Sequence, residues 1–358
     1  MKRQTLAMII GAITLLAGVL LAKFTAIIPT TNTQLEVSSP DAQQNLELGD
    51  YRISGPYRHE NLTIFLIHGQ DRLNTESLIT LEEALAQKHV VVYETSDVNE
   101  LAIENVSANQ EIFVQAGDIV KGGRQDRALA VDVLVEPRTG KLPIDAFCVE
   151  HGRWSQRGAE TANAFTMSEM MVATKDLKMA ARVSRSQSEV WEKVDEAQQK
   201  LSRGVAAEVR ATESASSLQL SLENEKVRET ADVYMEKLSG IVNGQTDIIG
   251  YAFAINGKLN SADVYASNSL FNKLWPKLLK ASAIEATAES VVGEKVEPVG
   301  IAQVAEFLAR AEQGAQVSER QVTDRIRIVM RESEQHVLSE TRDLKHEGRW
   351  LHRNYLVK

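Results

Sequence analysis

Between Asn61 and Val149 the chain is cut into short apolar runs, each closed by Asn, Asp, Gly or Pro, and this texture restricts the fold more than any other feature. Runs of this length suit strands and are too short for buried helices. Leu62, Ile64 and Leu66 alternate with Thr63, Phe65 and Ile67, dense enough for burial on both faces. His89–Tyr93, Glu100–Val106, Glu111–Gln115, Ala128–Val135 and Leu142–Val149 follow. Their close spacing predicts an antiparallel sandwich or a small barrel. Pro137-Arg138-Thr139-Gly140 reads as a hairpin turn joining the last two strands. In this region Ser77–Gln87 has helical spacing, through Leu78, Leu81 and Leu85.

The texture changes after Ser186. Val190, Val194, Ala197 and Leu201 mark one face of a helix, and Val227, Ala231, Tyr234, Leu238 and Ile241 mark a second. The Ala/Ser/Glu-rich stretch from Arg203 to Ser217 has no clear period. Strands return at Ile248–Ile255 and Lys258–Val264 across Asn256-Gly257, the dipeptide of a tight hairpin. Ser267 or Asn268 caps a helix carrying Leu270, Leu274, Leu278 and Leu279, with Pro276 bending it. A further helix covers Ile301–Ala311, and Val322–Val357 reads as roughly three strands. The expected fold class is α+β: a β-rich N-terminal half with a helical layer, preceded by one N-terminal hydrophobic helix.

That N-terminal element is the uncharged run Leu6–Ala22, which follows Lys2 and Arg3. It is at the short edge of a bilayer span, with Lys23 able to snorkel and Phe24–Ile28 able to extend it. An uncleaved signal anchor at 1–28 is the preferred reading. A cleaved signal peptide and a buried core helix are the rivals. Pro29–Asp50 has linker composition, and 51–358 is the folded domain. The positive-inside bias places that domain outside the cytoplasm, tethered to the membrane or released by cleavage.

Hydrophobic residues at 43% and charged residues at 25% are ordinary for a globular core. A net charge of −9 argues against a nucleic-acid partner. Cys148 is the single cysteine, so no intrachain disulfide, zinc ribbon or dithiol redox pair is available.

One segment differs from its surroundings. Gln115–Arg127 places three glycines, at 117, 122 and 123, among Asp118, Lys121, Arg124, Gln125, Asp126 and Arg127. A second polar cluster, Cys148-Val-Glu-His-Gly-Arg-Trp154, ends the next strand. If Ala128–Val135 pairs with Leu142–Val149, the two clusters share one rim of the sheet. Through these motifs the chain resembles a prokaryotic domain family named for genomic association with ADP-ribosylglycohydrolases and rhodanese-phosphatases. Its patterns "G-[DE]-x-[VL]-x-G-x-[KR]-Q-[ND]-R" and "C-V-E-x-G-R-W" stand here at Gly117–Arg127 and Cys148–Trp154. Ser186-Gln187 with Val190-Trp191, and Ile249–Ala262 with Leu274–Leu279, fit more loosely, so the resemblance covers about 55–290. It implies a link to ADP-ribose through genomic association.

The rim is the candidate site. Arg124, Gln125, Arg127, Arg153 and Trp154 are its candidate ligand-binding residues, with backbone N–H groups of the glycine turn able to cradle phosphate. The bland reading is a structural turn whose Arg and Asp groups bond one another. Asp118, Asp126 and Glu150 could supply an acid/base pair, although carboxylates beside arginine are more often ion pairs. The turn lacks the Lys-Ser/Thr ending of a P-loop, and no cofactor or metal is expected. Cys148 reads as a buried small residue, in register with Ile144 and Ala146 on one strand face, and a metal site is disfavoured because His151 points away from the face that Cys148 and Glu150 share. Trp154, Trp191 and Trp275 could stack on a sugar or base, with core packing favoured for the last two. The leading expectation is a module that binds or acts on a sugar, nucleotide or ADP-ribose-like ligand at this rim. The alternative is a structural protein whose helices at 185–242 dock a partner.

Overall fold

The computed structural model describes residues 46–95, 97–158, 160, 165–291 and 297–358, so the expected anchor at 1–28 lies outside the described residues. No helix among the described residues is long and apolar enough to cross a membrane.

Leu46–Leu48 (β1), Tyr51–His59 (β2) and Leu62–His68 (β3) form an antiparallel ladder. Leu78–Thr80 (β4) runs into the short helix Leu81–Ala86 (α1). Thr80 makes that switch: its side chain accepts Glu83 N, and the Glu83 carboxylate accepts Thr80 N. The helix expected from Ser77 therefore starts at Leu81. Val90–Glu94 (β5), Glu100–Asn105 (β6), Glu111–Val114 (β7), Asp118–Gly122 (β8), Arg127–Leu129 (β9), Val133–Val135 (β10), Leu142–Cys148 (β11) and Phe165–Met171 (β12) follow. Lys175–Met179 (α2) passes through a π-helical turn, Ala180–Ser184, to Gln187–Gly204 (α3). Leu218–Leu222 (α4) and Glu225–Leu238 (α5) complete the central helices. After them come Ile248–Ile255 (β13), Lys258–Tyr265 (β14), Asn268–Ala288 (α6) and Ile301–Glu312 (α7). Four strands end the chain: Ala315–Gln321 (β15), Ile326–Glu332 (β16), His336–Asp343 (β17) and Arg349–Val357 (β18).

Nine strands form one open sheet, in the order β1-β2-β3-β13-β14-β18-β17-β16-β15, every neighbour antiparallel. The β13–β14 turn at Asn256-Gly257 has both residues at positive φ, as a type I′ turn requires. A six-stranded sheet, β12-β8-β9-β11-β6-β5, and a three-stranded one, β10-β7-β4, use the intervening strands. The β-rich α+β expectation holds, but the largest sheet draws strands from both ends of the domain rather than from its N-terminal half. Val322–Val357 holds the three strands expected there, β16, β17 and β18. One strand before that range was not expected: β15 is an exposed edge without an apolar face, so no hydrophobic alternation marks it.

The expected strand Ala128–Val135 is two strands. The ladder breaks at Ala130–Asp132, β9 pairs with β11, and β10 leaves to pair with β7. Pro137–Gly140 accordingly does not close a simple hairpin. The rim inference survives by the shorter strand, because Cys148 lies opposite Arg127.

Pleat alternation feeds two cores. Ile119, Ala128 and Phe147 join the core of the nine-stranded sheet and helices, while their neighbours Val120, Leu129 and Ala146 point into a second core between the smaller sheets. Val190, Val194, Ala197 and Leu201 of α3 are buried, each contributing about 1–3 kcal/mol of apolar burial. Val227, Ala231, Tyr234 and Leu238 of α5 are buried likewise. Ser267 caps α6, its Oγ accepting Leu270 N at 3.1 Å. Among the described residues Val233 is the one large exposed hydrophobe on the helices at 185–242. Their apolar faces are engaged within the chain.

Candidate functional site

At the rim, the start of β9 and the end of β11 bring two fully buried carboxylates together. Asp126 and Glu150 have no exposed surface. Glu150 Oε2 accepts Asp126 N at 3.1 Å, and Glu150 Oε1 accepts Arg153 Nε at 2.7 Å. Arg157 meets Asp126 with both terminal nitrogens, at 2.8 and 3.1 Å, and reaches Glu150 at 3.5 Å. Ser217 Oγ donates to Asp126 Oδ2 at 2.9 Å while accepting Leu220 N as the cap of α4. Gly122 N donates to Asp126 Oδ1 at 3.1 Å. Two carboxylates thus face two arginines and a set of neutral donors, which is what burial of charge demands.

The environments of the two acids differ. Burial pushes the Asp126 carboxyl up, and Arg157 only partly offsets it. Burial pushes Glu150 the same way, but hydrogen bonds from Arg153, Ser214 and Asp126 N outweigh it and hold Glu150 below the usual range. The two are separated in acidity, as an acid/base pair would need. Both are nevertheless sealed from solvent and saturated with donors.

Arg127 points the other way, as alternation along β9 requires. It bonds Glu94 at 2.8 Å, the Cys148 sulfur at 2.8 Å and the Val98 carbonyl, with 2% of its side chain exposed. Glu94 also accepts Arg124 N at 3.1 Å. Gly123 lets this carboxylate approach: at φ +54 a Cβ there would stand 2.8 Å from Glu94 Oε2 and 2.5 Å from Phe165 Cζ.

Of the residues singled out in the sequence, Asp126, Glu150 and Arg153 converge. Arg127 belongs to the adjacent pair, and the Arg124 side chain is exposed. Asp118 lies elsewhere, on Lys277 of α6 at 2.7 Å and Gln115 N at 3.1 Å. Gln125 is buried, with neither amide atom bonded among the described residues. Trp154 is 54% exposed. Cys148, Glu150 and His151 do not converge: the thiol meets Arg127, Glu150 meets Arg153, and the imidazole meets Trp191. Burial pushes the Cys148 thiol up to about 11. Glu94, Arg157 and Ser217 were missed. Only Arg157 carried a local signal, four positions beyond Arg153 in the same polar run.

Next to this knot lies an open cleft of about 430 Å³. Its aromatic wall is Trp191 of α3, half-buried rather than in the core, with the His151 ring edge-on at 4.6 Å. Polar groups on the wall are Asp195 and Arg210, paired at 2.5 Å, with Glu192 and Gln198. The far wall is tied to the rim: Ser216 Oγ donates to the His151 carbonyl at 2.5 Å, and Leu218 N to the Val149 carbonyl at 3.0 Å.

Comparison with curated proteins and with solved structures finds no match. A family model matches residues 50–356, which takes in the final strands and so exceeds the span of about 55–290 suggested by the motifs. With the rim motifs and a match over most of its length in agreement, the chain belongs to the family described as the ARG and Rhodanese-Phosphatase-superfamily-associated Protein domain.

Proposed function

We propose that the protein binds a sugar-containing small molecule, of the sugar, nucleotide or ADP-ribose-like class, in the cleft formed by His151 and Trp191. The observation that carries this reading is the aromatic wall set beside an Asp–Arg pair. Ring faces stack on sugars or bases, and a charged pair orients their hydroxyl or phosphate groups. The cleft volume falls in the usual range for such ligands. The buried Asp126–Glu150–Arg153–Arg157 knot then serves to fix the wall, while Arg124 and Trp154 are the rim groups exposed to an arriving ligand. The alternative, partner docking by the helices at 185–242, is less favoured because their apolar faces are already packed. The apolar run Leu6–Ala22 supports work outside the cytoplasm, tethered or released.

Thermal-shift titration with ADP-ribose, nucleotides and cell-wall sugars tests the reading, since a ligand of the native state raises its stability. One of these should raise Tm saturably in the natural chain, with the shift lost in Trp191→Ala. If none does, or if the variant responds equally, the cleft is not the site.

A further inference from the structure

A second cavity, of about 330 Å³, lies between the edge strands β15–β17, the residues joining β9 to β10, and the π-helical turn after α2. Three arginines from separate places reach its walls: Arg182 within the turn, Arg185 just after it, and Arg320 on β15. The lining carboxylates are Asp132 and Glu319, and both have cationic partners, though Asp132 shares its own with Asp263. Glu319 is held by Arg327 at 2.9 Å. Asp132 Oδ2 faces His352 Nδ1 at 2.8 Å, and the other ring nitrogen faces Asp263 at 3.0 Å. Carboxylates only accept, so an imidazole between two of them carries a proton on both nitrogens.

The arginines are less fully matched. Arg185 and Arg320 share one oxygen of Asp145, at 2.9 and 2.6 Å, a single carboxylate between two guanidiniums. Arg182 meets the Ala116 carbonyl at 2.5 Å and, among the described residues, no carboxylate within ion-pair distance. Five cations in or beside the cavity, Arg182, Arg185, Arg320, Arg327 and His352, stand against four carboxylates, Asp132, Glu319, Asp145 and Asp263, an excess of one positive charge, and three of those cations line the cavity itself. Backbone geometry supports a built site as well. Arg185 sits at φ 52 in the left-handed region, uncommon for a bulky residue and a feature of ligand clamps. The π-helical turn before it is of the type often found at functional sites.

We propose that this cavity binds a phosphate group, as inorganic phosphate or the phosphate end of a small monoester, clamped by Arg182, Arg185 and Arg320. Guanidinium forks match phosphate oxygens in pairs, and the volume leaves room for a small organic group beside the phosphate. The site is separate from the Trp191 cleft and does not depend on it.

Calorimetric titration of the full chain with inorganic phosphate, at constant ionic strength set with chloride, tests the assignment. Binding should be saturable, and Arg182→Gln, Arg185→Gln and Arg320→Gln should each weaken it about tenfold or more, the worth of a charge-assisted contact. Arg310→Gln, whose partner is Glu306 on α7 and which does not line the cavity, should leave it unchanged. If Arg182→Gln does not fold, Arg185→Gln and Arg320→Gln decide, because those side chains are 42% and 39% exposed. Absence of saturable binding in the natural chain, or equal affinity in the arginine variants, overturns the proposal.

Discussion

Replacing Glu150 by alanine should destabilise the domain without touching its apolar core. The carboxylate is fully buried and accepts Asp126 N and Arg153 Nε, the latter at 2.7 Å. Its loss strands an arginine that is 10% exposed and a buried backbone donor. Breaking a buried ion pair costs about 3–5 kcal/mol. Relief of like-charge repulsion on Asp126 offsets part of this, so the lower end, about 3 kcal/mol, is the expectation. For a domain of this size, with an unfolding entropy of about 2.1 cal/mol/K per residue, that is a fall in Tm of about 5 °C. Glu150→Gln keeps an acceptor for Asp126 N and should cost roughly half as much. Urea unfolding followed by circular dichroism reads the change as a lower midpoint at constant slope. A Glu150→Ala midpoint equal to that of the natural chain would show that the knot stabilises nothing. If that variant also lost ligand binding, Glu150 would belong to the site itself.

Other consequences are equally direct. His352, between Asp132 and Asp263, is pushed up to about 9: burial opposes its charge, but the two carboxylates prevail. A raised histidine stabilises fully below its unfolded value near 6.5 and loses that contribution as pH rises through about 9. Stability should therefore fall across that window, and His352→Gln should flatten the fall; an unchanged pH profile in the variant would refute it. The Cys148 thiol, buried and raised, should label slowly with a bulky reagent at neutral pH, and Cys148→Ala should leave ligand binding intact. Rapid labelling of the folded chain would contradict the burial. A reporter fused after Lys358 should be active only outside the cytoplasm, and cytoplasmic activity would exclude the export reading.

Local signals were legible where the chain's own neighbours decide conformation. Asn256-Gly257 fixed the β13–β14 hairpin, and Ser267 marked the start of α6. The break after β9 was hidden because Ala128–Val135 is apolar throughout except at Asp132. That single acid was the available clue: its oxygens take Ala116 N, Thr341 and His352, so the chain must leave the ladder there. Glu94 and Ser217 were illegible for a different reason. Their partners, Arg127 and Asp126, lie far away in sequence, and only the folded sheets bring them together. The rim motif was correctly located but divided: strand alternation sends Asp126 and Arg127 into separate ion-pair sets, a distinction that needs the register.

The order of strands in the large sheet makes β18 a keystone. It hydrogen-bonds β14 on one side and β17 on the other, so the panel β17-β16-β15 joins the remaining strands of the sheet through a strand that follows all of them in the chain. A growing chain can assemble β3, β13 and β14 and still lack the bridge that β18 provides. Trimming back to Gly348 would divide the sheet into a five-stranded and a three-stranded piece, each with a raw edge, leaving α7, which packs on both, to hold them together. Quality control that degrades incomplete chains would find such a product easy to recognise.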